Sequence, residues 1–229
     1  MKSNYNPGRV AGCLYLLLGL SVVRLQYIPR NLLVPGNGAV TAGNIAAHEW
    51  LFRAGMLTDL LTAVASIFVV LALYRLFQGV NRNHAVLMVI LGGPMPAAVY
   101  FGNMLNDVAA LLFAKPADFL SLFDKPQREA FVLLFLRLHD YGVFANEIFW
   151  GLWLFPFGML VYRSGFLPRW LGVWLYLNCF AYVACSITGL LAPQYAGKVF
   201  SLCSPALFGE GAIMLWLLIR GARAQLGPA

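Results

Sequence analysis

The sequence is poor in charged residues. Only 11% of its 229 residues are Asp, Glu, Lys or Arg, whereas 61% are hydrophobic. Soluble domains contain about 25% charged and about 45–50% apolar residues. The composition therefore excludes an ordinary soluble domain and predicts an all-α integral membrane protein.

The sequence also lacks the motifs of several large enzyme classes. It contains no P-loop, no G-x-S-x-G and no H-E-x-x-H, and its four cysteines form no C-x-x-C pair. Three histidines, with only His139 near a span interior, argue against a bis-histidine haem. A metal site at His139 and Asp140 is weakly indicated, because adjacent helical residues point about 100° apart. We therefore predict no cofactor and assign no metal ligand, although a metal site built from carboxylates and His139 is geometrically possible.

Six apolar segments are long enough to cross a bilayer about 30 Å thick. They lie near residues 9–28, 45–76, 84–113, 128–162, 168–191 and 198–221. The connections are short, which predicts one six-helix transmembrane bundle, a single domain over residues 1–229. The first segment has no small-residue cleavage pattern and is expected to be retained as a span. Kinks or breaks are expected at G-G-P-M-P, residues 92–96, and near Pro205.

Basic residues are spaced between the apolar segments instead of clustering on one face, which argues against a nucleic-acid partner. The shorter connections hold Lys2, Arg9, Arg75, Arg82, Arg163, Arg169, Arg220 and Arg223. The opposite side carries Arg24, Arg30, Arg53, Lys115, Lys125, Arg128 and Lys198. The positive-inside rule then favours a bacterial inner-membrane protein whose two termini are cytoplasmic.

Acidic residues occur inside four of the predicted spans. An α-helix rises about 1.5 Å per residue, so counting residues from the inner end of each span gives the height of a side chain above the inner membrane surface. This height is about 24 Å for Asp59 and Glu147 and about 15 Å for Glu210. It is about 34 Å for Asp107 and Asp140, which lie close to His139. Because a charge at the bilayer centre costs about 2.5–3.5 kcal/mol, such groups normally face the protein interior. The candidate catalytic residues are Asp59, Asp107, His139, Asp140, Glu147 and Glu210.

Polar side chains recur at seven-residue spacing in the fourth span and so share one helix face. Phe144 and Trp150 lie three positions on either side of Glu147 and would form aromatic walls. The candidate substrate-binding residues are Arg53, Asn103, Arg137, Asn146 and Trp150. Structural alternatives remain: Asp59 could pair with Arg53 or Arg137, Asp107 and Asp140 could be solvated, and His139 could be a packing residue.

Acids in an aromatic-lined cavity favour binding or acid-catalysed conversion of a lipophilic, lipid- or isoprenoid-like substrate. Membrane terpene cyclases offer a chemical analogy, since ring faces stabilise cations. The alternative is a small proton-coupled transporter or permeation pathway, in which a homodimer would supply the missing repeat. A scaffold whose polar groups only fix helix packing is a third hypothesis. The expected partners are membrane lipids and a lipophilic small molecule.

The sequence contains RVAGCLYLLLG at residues 9–19 and LLVPGNGAVTAGNIAAHEWLFRAGMLTDLL at 32–61, then VNR, LHDYG and MLVYRSGFLPRWLGVWLYL at 159–177. These stretches resemble the DUF4386 family of bacterial membrane proteins. The most specific is R-S-G-F-L-P-R-x-L-G, the turn between the fourth and fifth spans. The resemblance implies a multi-span membrane protein of unknown activity and assigns no catalytic residue.

Overall fold

The computed structural model describes residues 6–115 and 117–222. Lys2 and Arg223, which entered the charge comparison, lie outside these residues. The described residues form α-helices and short 3₁₀ or π segments, and they contain no strand. The α-helices are α1 Pro7–Leu16, α2 Ile28–Leu32, α3 Gly38–Ala47, α4 Glu49–Phe77, α5 Arg82–Gly92, α6 Pro94–Ala114, α7 Lys125–Leu152, α8 Leu154–Arg163, α9 Arg169–Leu191 and α10 Ala196–Ile219.

Six helical segments of the described chain are long and apolar enough to cross a membrane, as predicted. They are Pro7–Leu32, Glu49–Phe77, Arg82–Ala114, Lys125–Arg163, Arg169–Leu191 and Pro193–Ile219. Their ends lie close to the predicted limits, because short polar or proline-containing connections separate the apolar runs. The protein is therefore an all-α, multi-pass membrane protein surrounded by lipid.

Side-chain caps explain where several helices begin. Asn6, Asn37 and Asn81 each accept a hydrogen bond from the backbone N–H three residues later, at the starts of α1, α3 and α5. Such caps satisfy backbone donors that have no partner within the helix. Between α8 and α9 the chain turns at Gly165, whose φ of 70° lies in the left-handed region that favours glycine.

Two spans are interrupted. In the third span α5 ends at Gly92 and α6 begins at Pro94, which confirms the predicted break. In the fourth span Trp153 separates α7 from α8, because Pro156 cannot donate a hydrogen bond to the carbonyl of Leu152. By contrast, α10 runs through Pro205 as one helix.

The chain divides into two compact units. Within the described residues, the first comprises residues 6–18, 63–98 and 144–222, and the second comprises residues 19–62, 99–115 and 117–143. The core of the first includes Leu73, Phe77, Met88, Phe157, Leu160, Leu171 and Leu217, and the core of the second includes Ile28, Ile45, Phe52, Ala110, Val132 and Leu136. The single-domain assignment over residues 1–229 stays a prediction.

Candidate functional sites

Four helical segments of the second unit bring charged side chains together in its interior. Asp59 of α4, Asp107 of α6 and His139 of α7 each offer a ligand atom, and these atoms all lie within 4.8 Å of one another. Arg24 of the first span pairs with Asp107. All four side chains are buried. We call Arg24, Asp59, Asp107 and His139 the acid–histidine cluster.

Arg24 holds Asp107 with two donors. Its Nε donates to Oδ2 of Asp107 at 2.9 Å, and its Nη2 donates to Oδ1 of the same carboxylate. Arg24 lies in a π-helical segment, Val23–Tyr27, and the guanidinium is 5.8 Å from the centre of the Phe52 ring. Such bidentate pairing fixes the orientation of the carboxylate as well as its charge partner. Single π-turns are frequent at functional sites, since they redirect side chains.

Hydrogen bonds and one glycine set the approach of α6 to α7. Nδ2 of Asn103 donates to the carbonyl of His139 at 2.9 Å, and Nδ2 of Asn106 donates to Oδ1 of Asn103 at 2.9 Å. A methyl group at Gly142 would lie 2.5 Å from Cγ of Asn103, so only glycine allows this contact. Asp107 follows Asn103 by one helical turn, and this approach places it beside His139.

Three buried atoms of the cluster have no hydrogen-bond partner. They are Oδ1 of Asp59 and the two ring nitrogens of His139, Nδ1 and Nε2. Nδ1 of His139 nevertheless lies 3.2 Å from Oδ1 of Asp107. Buried polar atoms in proteins nearly always have partners, so these three atoms indicate an unmet interaction.

The structure corrects several details of the sequence interpretation. Asp59 lies beside Asp107, although counting residues separated them by about 10 Å, because the count assumed straight helices along the membrane normal. The counter-ion is Arg24, whereas Arg137 is exposed. Arg53 pairs with Glu49 on the surface instead of with Asp59. Asp140 is exposed, next to His139 but on another face of α7.

The first unit holds a second group of polar side chains around Glu210 of α10. The hydroxyl of Tyr15 donates to Oε1 of Glu210 at 2.6 Å, and Tyr182 of α9 is a further hydrogen-bond partner. The Tyr15 ring lies 6.0 Å from that of Trp153, and the Tyr182 ring 6.0 Å from that of Trp150. We call Tyr15, Tyr182 and Glu210 the tyrosine–glutamate cluster.

A glycine pair brings Tyr15 to Glu210. Gly8 and Gly12 form a G-x-x-x-G pattern on α1, and a methyl group at Gly12 would lie 2.6 Å from the backbone nitrogen of Leu218. Small residues at this spacing let membrane helices approach closely. Tyr15 follows Gly12 by three residues and so continues the face that packs on α10.

Glu147 lies one turn before Trp150 on α7. Its side chain is buried, and its Oε2 has no hydrogen-bond partner. Cys185 of α9 lies near Glu147 and near Cys203 of α10. Glu147 on α7 and Cys185 on α9 are each one turn from a member of the Trp150–Tyr182 ring pair, so Glu147 lies in the part of the interior next to that pair.

Further buried amides and hydroxyls occur in this unit. Nδ2 of Asn146 contacts the carbonyl of Pro96 at 3.5 Å, and Nδ2 of Asn178 donates to the carbonyl of Leu207 at 3.3 Å. Oδ1 of each amide and Oγ of Ser186 are buried without a partner. The interior around Glu147 therefore contains buried polar atoms that have no hydrogen-bond partner within the protein.

Sequence reasoning missed Arg24, Tyr15 and Tyr182. Arg24 was counted among the basic residues of the outer side, although it lies inside the predicted span 9–28. A basic residue within a span normally has a buried partner, and this signal would have identified it. The G-x-x-x-G pattern beside Tyr15 was a second usable signal. Tyr182 carried no comparable pattern.

Comparison with known proteins assigns the chain to a family of unknown function. A family model described as a domain of unknown function, DUF4386, matches residues 10–221. A relative from Archaeoglobus fulgidus, described as an uncharacterized protein, is 30% identical over 142 residues, which cover 60% of this chain and 81% of the relative. No solved structure matches the chain. With a family model that extends from the first span to the end of the sixth, this chain belongs to the DUF4386 family.

Proposed function

We propose that this protein binds a lipophilic, lipid- or isoprenoid-like molecule within the membrane and that Glu210, assisted by Glu147, acts on it as a general acid. The observation that carries the proposal is the hydrogen bonding of Glu210 to the hydroxyl groups of Tyr15 and Tyr182. The bond from Tyr15 occupies Oε1, so the proton of a protonated Glu210 would lie on Oε2. The two phenols hold the carboxyl group in one orientation, and an oriented proton donor is what general acid catalysis requires.

The surroundings of Glu210 suit an apolar substrate. Rings of Trp150 and Trp153 pack against the two tyrosines. Aromatic ring faces attract cations, so they would stabilise a carbocation formed by protonation of an alkene or epoxide. The sixth span, which carries Glu210, is only 17% buried, compared with 50% for the second and fourth. A molecule dissolved in the bilayer therefore has a short lateral route to this helix.

The test compares membranes that contain wild-type protein, Glu210→Gln, Glu147→Gln or the matched control Glu129→Gln. Glu129 lies at the α7 end, where it pairs loosely with Lys125. We expect untargeted mass spectrometry of lipid extracts to find a product that depends on the wild-type protein. Its amount should fall about 10²–10⁴-fold in Glu210→Gln, the usual contribution of a general acid, and stay unchanged in Glu129→Gln.

Equal lipid profiles for wild type and Glu210→Gln would contradict acid catalysis. Native mass spectrometry of the purified protein then tests binding alone, by asking whether a lipophilic molecule is retained in the wild type. Absence of both a product and a retained molecule would overturn the proposal.

Proton-coupled transport is the second candidate. It is favoured by the presence of two acids, Glu147 and Glu210, within the same unit, since a proton relay needs more than one titratable group. Transport would be favoured if the wild type carries protons into proteoliposomes, both Glu→Gln variants do not, and the lipid products are the same in all three. Transport would be excluded if the wild type carries no protons and the variants lose the lipid product.

We also propose a bacterial inner-membrane location with cytoplasmic termini, and a homodimer. The excess of basic residues in short connections supports this orientation. The low burial of the sixth span leaves a face on which a second copy could pack. Cross-linking of the protein in native membranes tests the dimer, and a monomer in both membranes and detergent would contradict it.

A further inference from the structure

We propose that Asp59, Asp107 and His139 bind a divalent transition-metal ion of the zinc type. The site lies in the second unit and shares no residue with the tyrosine–glutamate cluster, so the inference goes beyond the function proposed above. It rests on four observations: the donor set, the three unpartnered buried atoms, the charge of the cluster and the bidentate bonding of Arg24 to Asp107.

The donor set is appropriate for such an ion. Two carboxylates and one imidazole reach the same point from three different helices, with one ligand atom of each within 4.8 Å of the others. Imidazole and carboxylate together suit zinc and related first-row metals, whereas magnesium and calcium prefer oxygen ligands alone. Histidine therefore decides the class of metal.

The unpartnered atoms are ones that a metal would engage. Oδ1 of Asp59 and both ring nitrogens of His139 are buried and have no hydrogen-bond partner. Asp59 is 5% exposed and His139 is 2% exposed, so bulk water does not satisfy them. A cation bound by the three-residue group would be a partner for a carboxylate oxygen of Asp59 and for one ring nitrogen of His139.

The charges of the cluster also call for a cation. One guanidinium, that of Arg24, faces two carboxylates, those of Asp59 and Asp107. With both carboxylates ionised and His139 neutral, one negative charge remains unbalanced in an apolar interior. A divalent ion that carries one anionic ligand, such as hydroxide, brings the sum to zero.

Arg24 would orient Asp107 without itself being a metal ligand. It bonds both oxygens of Asp107, yet a carboxylate accepts about four hydrogen bonds, so lone pairs remain for a metal. Partners of this kind orient ligands and tune metal affinity. Three protein ligands leave one position open, as in catalytic zinc sites.

The experiment measures zinc binding by the full chain, purified in detergent and stripped with a chelator. Isothermal titration should show about one zinc per chain. Asp59→Asn and His139→Gln should each weaken binding more than about tenfold, because even the loss of an outer partner costs about 10–100-fold. Asp118→Asn and His48→Gln are matched controls, since both side chains are exposed, and both should bind as the wild type does. Magnesium in place of zinc should give no saturable signal.

Cobalt(II) binding by the wild-type chain tests the site without any variant, so the result does not depend on whether a variant folds. Visible absorption bands of low-symmetry cobalt with nitrogen and oxygen ligands are expected. Three results would each overturn the proposal. The first is the absence of zinc binding by the wild type, and the second is zinc binding by Asp59→Asn that is as tight as that of the wild type. The third is a set of intense thiolate-to-cobalt bands, which would indicate binding by the cysteines. Asp107 is left unchanged because its loss would also release Arg24.

Discussion

At the scale of single residues, Arg24 supports the second unit most directly. It is 2% exposed and is the bidentate partner of Asp107. Arg24→Leu removes that partner and leaves carboxylates buried without a cation, so we expect a loss of about 3–5 kcal/mol in the free energy of unfolding. Equilibrium unfolding of the detergent-solubilised protein measures this change.

Two further variants make the Arg24 test specific. Arg24→Lys keeps the charge but loses the bidentate geometry, so its stability should fall between those of wild type and Arg24→Leu. Arg30→Leu removes an exposed arginine of the same span and should change stability little. An Arg24→Leu protein as stable as Arg30→Leu would show that the ion pair contributes nothing to folding.

At the scale of helices, the approach of α1 to α10 depends on Gly12. A methyl group there would lie 2.6 Å from the backbone nitrogen of Leu218, which cannot move as a side chain can. Gly12→Ala should therefore cost about 1–3 kcal/mol, the usual effect of overpacking. It should also separate Tyr15 from Glu210 and reduce the product or bound molecule expected for the wild type.

Gly211→Ala is the control for this helix contact. Gly211 is adjacent to Glu210 on α10, and open space surrounds the position of its added methyl group. Thermal unfolding of both variants in the same detergent measures the difference. If Gly12→Ala unfolds no earlier than Gly211→Ala, the glycine pair does not control the packing of α1.

At the scale of the whole molecule, six spans place alternate connections on opposite sides of the membrane. Leu122, which is 91% exposed, lies between the third and fourth spans, and Gln78 lies between the second and third. For cytoplasmic termini, a membrane-impermeant maleimide should label Leu122→Cys in intact cells and Gln78→Cys only after lysis. The unsubstituted chain, with its four cysteines, gives the background. Labelling in the opposite order would reverse the proposed orientation.

Much of the fold could be predicted because membrane insertion is a local property. Each run of about 20 apolar residues partitions into the bilayer whatever its neighbours are. The break at residues 92–96 was predictable for the same reason, since Pro94 and Pro96 act on their own helix. The division of the fourth span at Trp153 was missed, although Pro156 carried the same signal.

The candidate sites were predictable only in part. The polar residues of the spans could be found by composition, and depth counting brought Asp107 and His139 to one level, where they lie 3.2 Å apart. The same counting failed for Asp59, because residue number contains neither the tilt nor the rotation of a helix. The roles assigned to these residues stay predictions.

The sequence by itself determined the class of protein, the number and limits of the spans and which polar residues they carry, since these follow from local transfer free energies. Only the tertiary structure decided which of those residues meet. It joined Arg24 and Asp59 to Asp107 and His139, and Tyr15 to Glu210, through close approaches at Gly142 and Gly12. Such contacts depend on the packing and rotation of several helices at once, and no single segment encodes them.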